Sequence, residues 1–167
     1  MIVSISYADA NYRWKQRFHA LTARLIGGAD KVLRYSPKDL DPDLASRNRR
    51  ILSLPRGGGY WLWKPYICLK TLETMADGDF LFYADAGCYF VNKISHLRDF
   101  MLEKQQDLLL FSLTFPEKEY TKKELFIAMG CDTEAVRETW QIVGGLFLVR
   151  KTPAMMDFFR EYLALCE

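Results

Sequence analysis

The sequence predicts a single α/β domain in which helices flank a central, mostly parallel sheet. Short β-branched apolar runs alternate with helical patterns from the N-terminus onward, which is typical of strands joined by crossover helices. Several of these runs are continuously apolar, as expected for strands that are buried on both faces. The 167 residues, 50% of them hydrophobic, suffice for one core and contain no repeat, linker or low-complexity stretch.

Composition narrows the class of protein. The 23 Lys and Arg nearly balance the 21 Asp and Glu, so the net charge indicates no nucleic-acid partner. The four cysteines have no CxxC or Cys/His metal spacing, which favours free thiols in a reducing compartment. The chain shows neither a signal-peptide pattern nor an apolar run of about 18 residues. We therefore expect a cytoplasmic protein, and peripheral association with the inner face of the membrane stays open.

The first third of the chain predicts a β-α-β unit. Residues 1–7 form a β-branched strand, residues 11–26 a helix that Gly27-Gly28 ends, and residues 30–35 a second strand. The predicted helix carries large apolar residues at the spacing of an amphipathic helix: Trp14, Phe18, Leu21 and Leu25. This opening predicts parallel pairing of the two strands.

The next segment combines a polar helix, a glycine run and an aromatic helix. A turn at residues 36–41 leads into a polar helix at 42–50. Gly57-Gly58-Gly59 follows, and it has two interpretations of equal weight: a flexible turn, or a loop that lets a ligand lie against main chain. No GK[ST] follows the glycines, so this is not a P-loop. Residues 61–75 predict a helix that starts near Trp63, because Pro65 is tolerated only in a first turn.

The second half alternates strands with helices. Residues 79–84 predict an apolar strand that ends at Asp85, and the apolar strand at 107–113 is predicted to be central. Thr121 and Glu124 have the spacing of a capping box. The remaining predicted elements are helices at 95–104, 122–129 and 133–138, a strand at 141–149, and a last helix capped by Thr152 with Pro153 at its first position.

Asp85 and Lys64 are the residues whose position points to chemistry. A carboxylate at the end of a buried strand can hold a divalent cation that bridges two phosphates, or bind a ribose or sugar hydroxyl. The alternative is an aspartate that only caps a turn. Lys64 lies near the positive end of the aromatic helix, which suits an anionic ligand such as a diphosphate. His19 and His96 both fall inside predicted helices, so a hydrolytic triad or zinc site has no support.

Five segments also carry a resemblance to a known family. They are RGGGYWLWKP at residues 56–65, GD at 78–79, YADAGC at 83–88, TK at 121–122 and QIVGGLFLVR at 141–150. In these segments the chain resembles a bacterial family of nucleotide-sugar glycosyltransferases with a GT-A-type fold, found in surface-polysaccharide synthesis. The match covers most of the chain in the family's order, and GYWLWKP and DAGC are its most specific parts.

The resemblance implies a donor site and an acceptor side. Tyr7 would lie near the base or ribose of the donor. The expected donor- or phosphate-binding set is Tyr7, Lys64, Gly58, Gly59, Trp61, Trp63, Ala86 and Gly87, with Asp85 as the central catalytic residue. Gln141, Gly144 and Gly145 would lie near the sugar or acceptor. The resemblance also implies further chain after residue 167, so the 167 residues are expected to lack the C-terminal part.

One departure from the family concerns the metal. GT-A enzymes usually carry an Asp-x-Asp motif that binds the divalent cation of the donor. Here the motif reads Asp85-Ala86-Gly87, so Gly87 replaces the second carboxylate. A single carboxylate is a poorer cage for Mg²⁺ or Mn²⁺. We therefore expect that a divalent cation, if the chain uses one, is held by Asp85, and that the lack of a second carboxylate at Gly87 makes its binding weaker.

The sequence thus leads to two hypotheses. The first is transfer of a sugar from a nucleotide-diphospho sugar to a glycan or lipid-linked acceptor, in which the protein mainly positions the reactants and stabilises the diphosphate. Asp79, Asp132 and Glu134 are candidates for a general base. The second is a non-catalytic nucleotide- or sugar-binding module. A generic Rossmann nucleotide binder is less well supported, because no GxGxxG follows the first strand.

Overall fold

The computed structural model describes residues 1–167 and contains one five-stranded sheet in the order β2-β1-β3-β5-β4. The strands are β1 (Ile2–Tyr7), β2 (Lys31–Tyr35), β3 (Phe80–Ala84), β4 (Leu108–Pro116) and β5 (Trp140–Arg150). The helices are α1 (Arg13–Leu25), α2 (Pro42–Arg47), α3 (Arg49–Leu52), α4 (Gly57–Tyr60), α5 (Trp63–Glu73), α6 (Ser95–Glu103), α7 (Lys123–Ala128), α8 (Glu134–Arg137) and α9 (Pro153–Cys166). None of the helices combines the length and apolar character that crossing a membrane requires.

The sheet is mixed but mostly parallel, as predicted. Strand β1 pairs in parallel with both β2 and β3. Strand β5 runs antiparallel to β3, and β4 runs antiparallel to β5, so four of the five strands point the same way. The carboxyl ends of β1 and β3 therefore meet at one edge of the sheet, beside the early part of the reversed strand β5.

Helices α5 and α9 cover one face of the sheet and create the larger core. Its members are the strand residues Val3, Ile5, Tyr7, Leu81, Tyr83, Phe147 and Val149, and the helix residues Trp63, Ile67, Cys68, Leu72, Met156 and Phe159. Each large apolar side chain buried here stabilises the fold by about 2 kcal/mol. Helix α9 begins as predicted, because the Thr152 side chain accepts a hydrogen bond from the backbone N–H of Met155 and Pro153 occupies its first position.

The other face of the sheet is packed in two different ways. Beside β3 it is apolar: Phe80 and Phe82 pack with Ile94 and with Met101 of α6. Beside β1 it is polar, because Ser4 and Ser6 point to this face and are fully buried.

Helix α1 meets this polar strip with its own polar side. The buried residues of the helix are Gln16, His19, Thr22 and Ala23. The Gln16 amide donates hydrogen bonds to the backbone oxygens of Ser6, at 3.1 Å, and Tyr35, at 2.9 Å. The apolar row of α1 consequently faces solvent, the reverse of the usual arrangement of an amphipathic helix.

Three predicted details of the chain are wrong. The apolar run at residues 107–113 is not central: β4 is an edge strand, and most of its side chains are partly or fully exposed. The capping box of Thr121 and Glu124 does not form, because α7 follows Lys122 and the Thr121 hydroxyl instead donates to the Glu117 carboxylate. The predicted helix at 42–50 is interrupted at Asn48, which separates α2 from α3.

Candidate functional site

A cavity of about 450 Å³ lies at the carboxyl ends of β1 and β3. This is the edge of an α/β sheet at which ligands usually bind, and the volume is in the range of small-molecule sites. The cavity is lined by Tyr7, Ala8, Asp9, Tyr12, Pro55, Gly57, Gly58, Trp61, Trp63, Asp85, Ala86 and Gly87. Aromatic rings, glycine backbone and two carboxylates thus share one opening.

Asp85 directly follows β3 and is held from several sides. Its Oδ1 accepts a hydrogen bond from the Tyr83 hydroxyl and lies 3.5 Å from the Lys64 Nζ. Its backbone N–H donates to the Gly145 carbonyl at 2.9 Å. The Asp85 side chain is still 46% exposed, so the carboxylate can meet a ligand while its orientation is fixed.

Lys64 lies behind Asp85, in the first turn of α5. Its side chain is only 6% exposed, and Nζ donates to the Gly144 carbonyl at 2.6 Å. Burial lowers the pKa of Lys64, and the Asp85 carboxylate counteracts part of this decrease. The ammonium group therefore has Asp85 as its near partner, and the phosphate contact expected from the sequence stays a prediction.

Gly145 allows strand β5 to approach Asp85 closely. A Cβ atom on Gly145 would lie 2.8 Å from Asp85 Oδ2, shorter than real contacts of this kind. A Cβ on Gly144 would meet only the Lys64 Nζ, at an ordinary 3.9 Å. The two neighbouring glycines therefore have different importance, and Gly145 is the one that the carboxylate requires.

Another part of the cavity lining, near Lys64, is aromatic and forms an aromatic wall. The rings of Tyr7 and Trp63 stack with centroids 3.8 Å apart and planes 11° apart. The Trp63 indole N–H donates to the Gly57 carbonyl at 2.9 Å, which fixes the glycine run to the start of α5. Burial, with a smaller contribution from Asp9, raises the pKa of Tyr7 to about 12, so its hydroxyl stays protonated near neutral pH.

The glycine run is an ordered, left-handed turn. All residues from Gly57 to Trp61 have positive φ, including the non-glycines Tyr60 at 50° and Trp61 at 60°. A Cβ on Gly59 would lie 2.7 Å from the Leu52 Cα, so this glycine packs tightly on α3. Gly57 and Gly58 present their backbone to the cavity. Of the two interpretations given above, this arrangement favours backbone shaped for a ligand over a flexible turn.

The structure brings most of the predicted donor residues to one place. Those that line the cavity are Tyr7, Gly58, Trp61, Trp63, Asp85, Ala86 and Gly87. Lys64, Gly144 and Gly145 lie directly behind Asp85. Gly59 faces α3, and Gln141 lies further along β5, so neither belongs to the cavity lining.

The three candidate bases lie elsewhere. Asp79 precedes β3, at the opposite end of that strand from Asp85, and pairs with the N-terminal amine of Met1 at 2.7 Å. Asp132 pairs with Arg137, and Glu134 lies in α8. None of the three carboxylates lines the cavity.

Five residues of the site were not predicted from the sequence: the lining residues Ala8, Asp9, Tyr12 and Pro55, and Tyr83, which contacts Asp85. Asp9 follows β1 as Asp85 follows β3, so the strand-end reasoning applied equally to it; its carboxylate accepts from the backbone N–H groups of Asn11 and Tyr12. Tyr83 carries no such signal, because it lies within an apolar strand. Its contact with Asp85 arises from the alternation of side chains along β3, which places residues 83 and 85 on the same face.

The residues around Asp85 do not by themselves form a metal cage. No group of three or more His, Cys, Asp or Glu side chains comes together anywhere in the chain. Asp85 Oδ1 already contacts Tyr83 and the Lys64 ammonium, and a cation placed there would face that ammonium group. A hard divalent cation needs several oxygen ligands, which this donor set does not provide.

A second cavity, of about 400 Å³, lies between α7 and α8, in the connection from β4 to β5, and shares no lining residue with the first. Its lining is mostly charged, from Lys118 and Lys123 to Glu134 and Glu138, and Phe126 is its only apolar member. It has neither the aromatic wall nor the strand-end carboxylates of the first cavity. The cavity beside Asp85 is therefore the better candidate for the functional site.

Comparisons with known proteins support a glycosyltransferase-like fold. No protein-family model matches the sequence, and no curated protein sequence matches it either. The similar solved structures include the galactosyltransferase LgtC in complex with donor and acceptor sugar analogs (TM-score 0.51, 18% identity) and the LgtC active-site mutant Q189E (TM-score 0.50, 19% identity). The alignments cover 100% and 96% of this chain, but only 66% and 59% of the LgtC chains. At this level of identity the likeness shows the fold: a single α/β domain of the GT-A type.

Proposed function

We propose that the chain binds a nucleotide-diphospho sugar in the cavity beside Asp85 and transfers its sugar to a glycan or lipid-linked acceptor in surface-polysaccharide synthesis. The observation that carries the proposal is the fixed, half-exposed Asp85 carboxylate, which shares one cavity at the strand ends with an aromatic wall. The GT-A-type fold gives the proposal its reaction class. LgtC, the similar protein, was solved with donor and acceptor sugar analogs.

The aromatic wall suits the flat parts of the donor. The stacked pair of Tyr7 and Trp63, together with Trp61, offers ring surface against which a base or a sugar face can lie. The Gly58 backbone allows the diphosphate to approach main chain without meeting a Cβ atom, whereas the missing side chain of Gly57 leaves room for the Trp61 ring. This division assigns the base and phosphates to one wall and the hydroxyl groups of the donor to Asp85.

Asp85 acts in this proposal as a fixed hydrogen-bond acceptor. Tyr83 and Lys64 hold Oδ1, and strand β5 limits the movement of Oδ2 through Gly145. A carboxylate held in this way orients a ribose or sugar hydroxyl without losing side-chain entropy on binding. The buried Lys64 ammonium offsets part of the negative charge of Asp85, which reduces repulsion between this carboxylate and the diphosphate of the donor.

The proposal contains no step through a divalent cation. GT-A enzymes commonly use one, but the donor set around Asp85 does not fit a metal. Gln141, Gly144 and Gly145 lie along β5, and we assign this strand to the sugar or acceptor side of the site.

The alternative function is binding without transfer. The missing second carboxylate at Gly87 favours it, because a degenerate transferase would lose metal chemistry first. In that case the chain would hold a nucleotide-diphosphate or its sugar and release it unchanged.

Two measurements test the proposal. A thermal-shift panel of nucleoside diphosphates and their sugars first identifies the ligand, since specific binding raises the melting temperature by mass action. Turnover of the identified donor is then measured for the wild type, for Asp85→Asn and for Asp99→Asn, an exposed aspartate on α6 that serves as the control. We expect turnover to be lost only in Asp85→Asn, with a melting temperature close to that of the wild type.

The possible results separate the two functions. Binding of a donor that the wild-type chain never turns over would support the binding module and overturn the transferase. Equal turnover in Asp85→Asn and the wild type would remove Asp85 from the mechanism. A large loss of melting temperature in Asp85→Asn would mean that the residue only stabilises the turn after β3.

A further inference from the structure

Helix α1 carries a row of large apolar side chains that no part of the chain covers. Trp14 is 66% exposed, Phe18 51%, Leu21 54% and Leu25 73%. At about 100° of rotation per residue, these four lie within an arc of about 60°, along a helix about 20 Å long. Tyr89 continues the row, since its ring centroid lies 6.0 Å from that of Phe18 and the residue is itself exposed. Contiguous exposed apolar surface of this kind indicates an interaction site.

The orientation of α1 is determined by specific contacts. Gln16 satisfies two backbone carbonyls of the sheet, and His19 Nδ1 lies 3.0 Å from the Cys88 carbonyl oxygen. The Thr22 hydroxyl accepts from the Phe90 backbone N–H at 3.2 Å. Turning the helix to bury its apolar row would break these bonds and place the row against Ser4 and Ser6. The row therefore faces outward because the polar side of α1 fits the sheet.

The charges around the row are of one sign. Arg13, Lys15, Arg17 and Arg24 all lie on α1, whereas residues 10–29 contain no Asp or Glu. Arg13, Lys15 and Arg17 form no ion pair within the chain. Burial lowers the pKa of His19, so this residue adds no positive charge to the helix near neutral pH. The surface thus combines aromatic and leucine side chains with unneutralised basic ones.

We infer that this face of α1 docks the protein on an anionic lipid surface. An amphipathic helix with Trp, Phe and Leu on one side and Arg and Lys beside them lies in the plane of a membrane interface. Trp14 would enter the headgroup region, and the arginines would meet lipid phosphates. The partner is a membrane rather than a second protein because its charge complements the uniformly basic flank. This inference does not depend on the proposed transferase activity.

Co-sedimentation with vesicles tests the inference directly. The protein is mixed with vesicles of phosphatidylglycerol and phosphatidylcholine, or of phosphatidylcholine alone, in low and high salt. We expect binding to the anionic vesicles only, weakened several-fold by high salt because the basic residues are exposed. The affinity of the double variant Trp14→Ser/Phe18→Ser for the anionic vesicles should be lower by about tenfold or more. Trp140→Ser, a change at another exposed tryptophan, should bind as the wild type does.

Each outcome decides for or against lipid docking. Circular dichroism and the melting temperature test whether the double variant is folded. If it is not, Arg13→Gln/Arg17→Gln replaces it and should also weaken binding. Absence of binding to anionic vesicles overturns the inference. So does binding that both double variants retain. A dimer in light scattering that Trp14→Ser/Phe18→Ser dissociates, without vesicle binding by the wild type, would assign the face to a second copy instead. Failure of donor turnover would leave the result unaffected.

Discussion

Gly145→Ala should move the Asp85 carboxylate without disturbing the strand that carries the substitution. Gly145 lies in β5 and does not have positive φ, so its backbone accepts alanine. The new Cβ would start 2.8 Å from Asp85 Oδ2, and an ordinary contact needs about 3.4 Å or more. The carboxylate must therefore shift by about half an ångström.

The shift has a cost in stability and a larger cost in activity. Moving Asp85 off its rotamer costs about 1 kcal/mol, which lowers the melting temperature by about 3 °C in a domain of this size. The carboxylate also moves relative to Lys64 and Tyr83, which now hold it. Misplacement of a positioning group by this distance should reduce donor turnover by about tenfold or more.

Gly144→Ala is the matched control. Its Cβ would meet only the Lys64 Nζ, at 3.9 Å, so the same chemical change one residue away leaves Asp85 in place. Turnover and melting temperature are measured for both variants and for the wild type. Gly144 itself belongs to the proposed acceptor side, so the refuting result is a Gly145→Ala variant with the turnover and melting temperature of the wild type.

Four further predictions concern stability, pH and charge. Gly59→Ala should lower the free energy of unfolding by about 2 kcal/mol or more in urea titrations, because Gly59 has positive φ and a new Cβ would lie 2.7 Å from α3. Gly78→Ala is the control: Gly78 also has positive φ, but its new Cβ would meet no atom, so the cost should be about 1 kcal/mol. Burial lowers the pKa of His19, so this imidazole binds a proton more readily in the unfolded chain than in the folded one. The free energy of unfolding should therefore fall as the pH drops below about 6.5. His19→Gln should reduce this pH dependence, and the control His96→Gln, at an exposed position, should not. Lys64→Met should leave the melting temperature within a few degrees of the wild type, because the lost ion pair is offset by the desolvation cost of the buried ammonium and the half-exposed Asp85 stays hydrated; binding of a nucleoside diphosphate should weaken in calorimetry. Chelation of divalent cations should change donor turnover less than Asp85→Asn does, and complete loss of turnover on chelation would show that a metal takes part.

The sequence predicts the strands of the sheet well because their apolar runs are short and bounded by turns. Strands β1 and β3 are buried on both faces, and their residue patterns show this directly. The end of β3 also identifies Asp85, since the carboxyl ends of parallel strands share one edge of a sheet. The same reasoning would have identified Asp9 at the end of β1.

Contacts between distant segments are not visible in the sequence. Lys64 and Gly144 are 80 positions apart, and their hydrogen bond depends on the antiparallel register of β5 on β3. Nothing in the local pattern around Gly145 distinguishes it from Gly144. The distinction appears only when Asp85 is placed beside it.

The sequence pattern of a single helix or strand also does not show which of its sides packs against the rest of the fold. The spacing of Trp14, Phe18 and Leu21 correctly predicts a helix, but it does not show which side of the helix meets the sheet. That choice follows from Ser4 and Ser6, which make the facing strip of β1 polar. The apolar run of β4 misleads for a related reason, because an edge strand of this sheet retains apolar side chains that are partly exposed.

The left-handed turn from Gly57 to Trp61 has a consequence for how the cavity is held together. Its backbone hydrogen bonds are local, such as those from Gly59 N–H to Leu54 and from Tyr60 N–H to Arg56, so no strand ladder anchors it. The positive φ values of Tyr60 and Trp61 each cost about 1 kcal/mol or more. The amides of the turn should therefore exchange with solvent sooner than those of β1 or β3, although the Trp63 hydrogen bond and the packing of Gly59 on α3 hold the turn in place in the folded cavity. The cavity would then combine one side held by local contacts with one side, at Asp85, held by the sheet.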